Sequence, residues 1–568
     1  MLFYDFEVFS YDWMVVIKDT DTRKTHEIVN NPEELKSIYK SNKNNIWIGY
    51  NSRSYDQYIM KGILLDMDPK KINDHIIVKN QGGWSFSSLF NKIQFYNYDI
   101  MTSFHGLKQL EGFMGNDIRE TTVNFDINRK LTDKEIKEVL FYCNHDVEQT
   151  MKVFVNRKEE FDSQMGLIKT FNLPLKYISK TKAQLSAIIL EAYKHEDRND
   201  EFDITIVDTI KLNKYKHIRE WYENPLNKNY KKSLTIEIAG VSHIFGWGGL
   251  HGARLKYLSE GVFINSDVGS FYPSLMIEYK FLSRNVRHAE KFKDIYDYRM
   301  RLKHEGKKKE QAPYKIVLNG TYGASKDKYN NLYDPLQANN VCVNGQLMLL
   351  DLIEKVESQI PGAMLIQSNT DGVMFKLPKK EDIEVYKDIC KEWENRTRMT
   401  LEHDLIKKVI QKDVNNYIVV MENGKIKSKG AYVKSLSKLD NDLPIVNKAL
   451  MEYFINGVEV EDTINSCREL IQFQKVVKVS NKYKYALHGN KILNEKVLRV
   501  FASRSNGDEG VFKLKNDKNT PDKIGNTPLK CFIDNSDING VIVPRKLDKQ
   551  WYIDVAKKRI KDFIGDDI

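Results

Sequence analysis

The sequence predicts an α/β protein of several domains. Its 568 residues exceed what one core fills and suit roughly two to four domains. Strand-like and helix-like segments alternate along the chain. A glycine-rich stretch, GWGGLHGA (Gly246–Ala253), is its strongest punctuation and marks a domain junction.

Taken in order, the first 150 residues read as mixed α/β. Strands are expected at Met1–Val8 and Ile46–Tyr50, and helices at Gly106–Phe113 and Thr132–Asn156. Thr132 is placed to cap the second helix, with Glu135 completing a capping box. From about Phe161 to Ile244 the pattern is mixed and polar, with a helical run near Lys182–His195. Beyond the glycines, INSDVGSFYPS (Ile264–Ser274) reads as a strand ending in an acidic turn. A basic helical pair joined by HEGKKKEQAP spans Lys291–Thr321, and a helix follows at Asn344–Gln359. MLIQSNTDGVMF (Met364–Phe375) reads as strand–turn–strand. Asn415–Gly430 reads as a hairpin, with Asn423–Gly424 at a turn that favours positive φ. The remainder to Ile568 is Lys-rich and mixed.

Composition excludes several classes. Hydrophobic residues make up 41% and charged residues 29%, an ordinary globular balance. No apolar run reaches the roughly 18 residues of a membrane span. MLFYDFEVF lacks the basic-then-apolar order of a secretory signal, so a cytoplasmic location without membrane contact is expected. Five isolated cysteines argue for reduced thiols, and against a disulfide framework or a zinc site of paired cysteines. The +10 charge fits a phosphate-backbone partner.

Asp5 and Glu7 lie two apart on a strand and project to one face. Converging carboxylates repel unless a cation lies between them, and a divalent metal is the usual one. Asp56 in NSRSYD and Asp146 in YCNHD add two more, with Tyr142 one helical turn before Asp146. Such a set suits metal-assisted phosphodiester hydrolysis. Farther on, Asp267 ends a strand and Asp371 sits at a hairpin turn, where two strand ends can share an ion. Between them Lys315, Asn319 and Tyr322 share a helical face, and Arg299 and Lys303 share another. Cations aimed at one place suit a triphosphate.

In order, Asp5-x-Glu7, Asn51–Asp56 and Tyr142–Asp146 resemble the DEDDy exonuclease signature. SDVGSFYPS, KIVLNGTYG and SNTDG resemble the three polymerase motifs of family B DNA polymerases. GWGGLHGA resembles the family's junction between exonuclease and polymerase domains, and Asn415–Gly430 its primer-gripping KxY region. The resemblance runs from residue 5 to about residue 430.

It implies an RNase H-like exonuclease domain (1–160), a connecting region (161–245) and a right-hand polymerase. The latter would comprise a palm (246–285 and 331–430), short fingers (286–330) and a thumb with the C-terminal region (431–568). Asp5, Glu7, Asp56 and Asp146 would hold one pair of Mg²⁺ ions, with Mn²⁺ as an alternative. Asp267, Asp371 and the carbonyl of Val268 would hold a second pair. Tyr142 would orient the attacking water, while Asn51 and Tyr55 would hold a single-stranded 3′ end. Arg299, Lys303, Lys315 and Asn319 would bind a dNTP triphosphate. Tyr272 would exclude a 2′-hydroxyl, Tyr322 would lie near the nascent base pair, and Tyr417 would seat the primer.

Implied partners are primer–template DNA, single-stranded DNA, dNTPs and accessory replication proteins, for a chain acting as a monomer. The short interval from Asp267 to Lys315 implies short fingers and argues against a terminal-protein primer, while the compact length points to a bacteriophage or mobile element, in a host cytoplasm. Three positions depart from the family pattern: Gly106 where a Ser or Thr is usual, Asn369 for the first hairpin Asp, and Asn415 for the KxY lysine. Two other readings stay open, an exonuclease with a degenerate polymerase half and a nucleic-acid-binding scaffold.

Overall fold

Period-two alternation in the first strand, β1 (Leu2–Val8), divides its side chains between two cores. Leu2, Tyr4, Phe6 and Val8 enter one core, and Phe3 enters the other. Asp5 and Glu7 therefore share the face of Phe3. β1 is the centre of a five-stranded sheet with β2 (Trp13–Asp19), β3 (Thr25–Val29), β4 (Ile46–Gly49) and β5 (Tyr96–Asp99), in the order β3-β2-β1-β4-β5. β2 and β3 pair antiparallel, whereas β1, β4 and β5 run parallel. Helix α1 (Asp56–Leu64) covers one face through Ile59, Met60 and Ile63. Helices α2 (Leu107–Phe113) and α3 (Asp133–Asn156) cover the other through Leu110, Phe113, Cys143 and Val147. The capping box at Thr132 is present: its hydroxyl accepts from the Glu135 amide at 3.3 Å, and its own amide donates to Glu135 Oε2 at 2.8 Å.

The computed structural model describes residues 1–565 apart from positions 103, 197 and 519. The chain forms a mixed α/β structure of two units. The five-stranded sheet belongs to a unit made of Met1–Lys180, Leu436–Ala449 and Val458–Val555; the other contains Thr181–Ser435, Leu450–Gly457 and Ala556–Ile568.

The second unit is organised by a nine-stranded antiparallel sheet. Its strands are β6 (Leu234–Ile238), β7 (Val241–Phe245), β8 (His251–Ala253), β9 (Tyr257–Val268), β10 (Met364–Ser368), β11 (Gly372–Leu377), β12 (Leu401–Asp413), β13 (Asn416–Met421) and β14 (Ile426–Lys429), ordered β14-β13-β12-β9-β11-β10-β8-β7-β6. The glycine-rich stretch lies inside this sheet, between β7 and β8, and the units divide at Lys180/Thr181. Gly252 is needed there for close approach: a Cβ would meet the His243 ring at 2.4 Å. Helices α4 (Phe271–Glu278), α5 (Ala289–His304), α6 (Lys308–Lys326) and α7 (Pro335–Gln359) complete the part that matters for the site.

The helix expected over Lys182–His195 ends at Ile189. Glu191 turns left-handed at φ 53°, and the Ala192 amide donates to the Ala187 carbonyl at 2.9 Å. This six-to-one closure ends the helix before its polar continuation.

The C-terminal segments of the first unit supply a three-stranded sheet of Lys475–Lys478, Val497–Ala502 and Cys531–Ile533. From its middle strand Arg499 reaches the end of α2. Its side chain is wholly buried and donates to the carbonyls of Gly112 (3.1 Å) and Asn116 (2.6 Å) from Nη2 and of Ser536 (2.7 Å) from Nη1. Burial pushes the guanidinium down to about 10.

Candidate active sites

In the first unit, one carboxylate oxygen from each of Asp5, Glu7 and Asp146 lies within 4.8 Å of the others. β1 presents the first two, and α3 brings the third across the same face. Asp56 opens α1 and is buried; its Oδ1 accepts from the Phe6 amide at 3.1 Å, tying it to β1. Packing these groups together disfavours their ionised forms. Burial, then Asp56, Glu7 and Asp146, holds Asp5 well above the carboxylate range. Burial, with Asp146 and Asp56, pushes Glu7 up to about 8. Burial raises Asp56 to about 7, and burial raises Asp146 to about 6 against the pull of Lys108.

Lys108 of α2 donates to Asp146 Oδ1, and to Glu111 Oε1 at 3.4 Å. Gly106 serves as the cap residue of this helix, so the segment that departs from the family pattern delivers a cation to the acidic cluster. Cys143 Sγ donates to the Asp5 carbonyl at 3.4 Å. Tyr142 is partly exposed on α3. Asn51 is exposed, with φ 58°. The Tyr55 hydroxyl donates to Asn73 Oδ1 at 2.8 Å.

In the second unit, Asp267 closes β9 and Asp371 occupies the turn from β10 to β11. The Val268 amide donates to the Asp371 carbonyl at 2.7 Å, and Gly372 pairs with Asp267 across the sheet. A Cβ at Gly372 would stand 2.0 Å from Asp267 Oδ1 and 2.9 Å from the Ser266 carbonyl, so a larger residue there would push the Asp267 carboxylate aside. Burial, then the charge of Asp371, raises Asp267 to about 6. Asp371 is also raised by burial, and Lys429 opposes the shift.

Both aspartates line a cavity of about 440 Å³ together with Val268, Tyr272, Arg299, Lys303, Lys315, Asn319, Tyr322 and Glu402. α5 contributes Arg299 and Lys303, and α6 contributes Lys315, Asn319 and Tyr322 at helical spacing. Arg299 Nη1 donates to Ser270 Oγ at 2.5 Å, and Nε to Gln311 Oε1 at 3.1 Å. Lys303 donates to Glu402 Oε1. The Tyr272 and Tyr322 rings pack with centroids 4.4 Å apart. Asp267 also borders a cavity of about 360 Å³ lined by Asn369, Asp404, Tyr417, Lys427 and Lys429. Asn369 Oδ1 accepts from the Asp371 amide at 3.0 Å, holding the turn.

Comparison with known proteins finds the following similarities. DNA polymerase 1 of Saccharolobus solfataricus is 26% identical over 158 residues, which are 28% of this chain and 16% of that protein. The match thus spans about one-sixth of the length of that curated relative. A family B DNA polymerase structure from Pyrobaculum calidifontis superposes with a TM-score of 0.44 at 14% identity, covering 100% of this chain and 78% of that one. No family model matches the chain.

The motifs assign no role to several polar residues at these sites. Lys108, Glu111 and Cys143 reach the first cluster, and Glu402, Asp404, Lys427 and Lys429 reach the second. Cross-strand register gives a partial signal for the latter: Glu402 stands opposite Asp267 and Lys429 opposite Tyr417. Register becomes readable only once the pairing is known.

Proposed function

We propose that this chain is a template-directed DNA polymerase of family B type with a 3′→5′ exonuclease. The observation that carries the reading is the single cavity on which Asp267 and Asp371 share walls with Arg299, Lys303 and Lys315. Two carboxylates beside convergent cations suit a nucleoside triphosphate handled with divalent ions. The stretch shared with an archaeal DNA polymerase supports it.

Both acidic clusters fit metal binding, because each forces like charges together at a cost an ion would relieve. Asp267 and Asp371, with the Val268 carbonyl, would hold two Mg²⁺ or Mn²⁺ ions, and Asp5, Glu7, Asp56 and Asp146 another two. When bound, such ions lower the pKa of the attacking hydroxyl or water and stabilise charge on the leaving oxygen.

In synthesis, the primer 3′-hydroxyl attacks the α-phosphate of the dNTP and pyrophosphate leaves. Lys315, Arg299 and Lys303 neutralise the triphosphate, and Asn319 adds a neutral hydrogen bond. Tyr272, braced by Tyr322, forms the wall under the sugar and leaves no room for a 2′-hydroxyl. Tyr417 seats the primer end from the neighbouring cavity. In removal of a 3′ nucleotide, Tyr142 orients the water and Asn51 contacts the strand. Tyr55 contributes its ring, its hydroxyl being held by Asn73. Residues 1–160 would form the exonuclease domain, 161–245 the connecting region, 246–285 and 331–430 the palm, 286–330 the fingers, and 431–568 the thumb region, whose segments 436–449 and 458–555 belong to the first unit.

The test is extension of a 5′-labelled primer on a template, with and without dNTPs. The native chain is expected to elongate the primer and, without dNTPs, to shorten it. Asp371→Ala should shorten without elongating, and Asp5→Ala should elongate without shortening. Loss of both activities in either variant would overturn the assignment of two sites. Shortening alone by the native chain would leave only an exonuclease, and products unchanged by both substitutions would leave only a binding protein.

A further inference from the structure

Beside the Asp5–Glu7 cluster lies a second group that the chemistry above does not use. Glu111 Oε2 on α2 and His145 Nε2 on α3 face each other at 3.7 Å. Both atoms are shut off from solvent and neither has a hydrogen-bond partner. The Glu111 side chain is 0% exposed. Orphaned buried polar atoms are rare in folded proteins and point to an additional ligand.

The spacing is informative. At 3.7 Å the pair is too far apart for a hydrogen bond, whose N···O distance is roughly 2.7–3.2 Å. Two donors on a common ion, each with a bond of about 2.1 Å and a tetrahedral angle between them, sit about 3.4 Å apart. Asp146 supplies a third donor: one ligand atom from each of Glu111, His145 and Asp146 lies within 4.8 Å of the others.

We propose that Glu111, His145 and Asp146 form a binding site for a transition-metal dication. An imidazole with two carboxylates favours zinc, manganese or iron over magnesium, which takes oxygen donors. The site has an internal competitor. Lys108 rests on Asp146 Oδ1 and 3.4 Å from Glu111 Oε1, so its ammonium and a metal ion claim the same two carboxylates. An entering ion therefore displaces Lys108. The open side is the one bordered by His145 and Lys108, whose side chains are 12% and 18% exposed. Arg499 fixes the chain at Gly112 and Asn116, just beyond Glu111, so this wall of the site is set before any ion arrives. Asp146 is shared with the proposed exonuclease cluster, but the site does not rest on that activity.

The probe is Zn²⁺, added to the full chain after chelator treatment and followed by calorimetric titration and zinc-edge X-ray absorption. The native chain is expected to show a zinc shell containing one imidazole nitrogen. His145→Ala and Glu111→Gln should each remove that nitrogen-bearing site or weaken it at least tenfold. Lys108→Met should tighten it. Melting curves in chelator establish that each variant is folded, and His145→Gln replaces His145→Ala if the latter is not. A shell of oxygen atoms alone, native zinc affinity in the His145 variant, or no gain in Lys108→Met would overturn the proposal. Absence of exonuclease activity would leave the result standing, because the readout is coordination rather than cleavage.

Discussion

Arg499 donates to the backbone carbonyl of Asn116 at 2.6 Å, joining positions 383 residues apart in the chain. The same nitrogen reaches the Gly112 carbonyl at the end of α2. A helix C-terminus carries partial negative charge, so the buried guanidinium is balanced by carbonyl dipoles as well as by neighbouring acidic groups.

Removing this cation should destabilise the first unit strongly. Arg499→Met takes the side-chain donor from the carbonyls of Asn116 and Ser536, each worth about 1–3 kcal/mol, and a loss of about 3 kcal/mol or more is expected in urea unfolding. Arg499→Lys should recover only part of it, since one ammonium cannot reproduce the planar fork. A shift below ~1 kcal/mol for Arg499→Met would contradict the clamp.

Much of both sites was legible because the relevant geometry is local. Asp5 and Glu7 share a face wherever a strand forms, and Lys315, Asn319 and Tyr322 share one wherever a helix forms. The capping box of α3 is equally local. Lys108, Glu111 and His145 meet only because α2 packs on α3, and no spacing announces that contact. Glu402 and Lys429 depend on strand register, which a single sequence leaves unassigned. Residues 436–449 and 458–555 join the first unit through contacts such as that of Arg499, which carry no periodic trace.

Glu402→Gln should improve nucleotide binding modestly. Glu402 holds Lys303 in the cavity of Asp267 and Asp371, and incoming phosphate has to take that lysine from it. The carboxylate is 59% exposed and the lysine 35%, so the pair is worth at most about 1 kcal/mol. The KM for dNTP in primer extension is expected to fall up to about fivefold with kcat little changed. A rise in KM would show that Glu402 assists the nucleotide instead of competing with it.

Asn369→Asp should preserve the hairpin, because either side chain accepts from the Asp371 amide. The added carboxylate shares a cavity with Asp267 and raises the proton affinity of that group. The acid limb of the extension rate against pH is expected to move upward by about half a unit. An unmoved or lowered limb would separate Asn369 electrostatically from Asp267.

Stability without metal should fall as pH rises. Glu7 titrates near 8 in the folded chain, against an ordinary value of 4.5, and Asp56 near 7, against 3.8. Between the unfolded and folded values the native state holds the extra protons, so stability present at lower pH is lost up to about pH 8. In chelator, the melting temperature of the first unit is expected to drop from pH 5.5 to pH 8, and Glu7→Gln should blunt the drop. Excess Mg²⁺ should restore stability at pH 8. A melting temperature that rises across this interval in chelator would contradict the crowding of these carboxylates.

The first unit takes its segments from both sides of the second, which has a consequence during synthesis. The strand bearing Arg499 leaves the ribosome well after α2: at roughly 5–20 residues per second, the interval is on the order of 20–80 s. Throughout that delay the Asn116 carbonyl just beyond α2 awaits its donor, while most of the second unit has already been made. Biogenesis therefore leaves the domain that starts first incomplete until most of the other has been made.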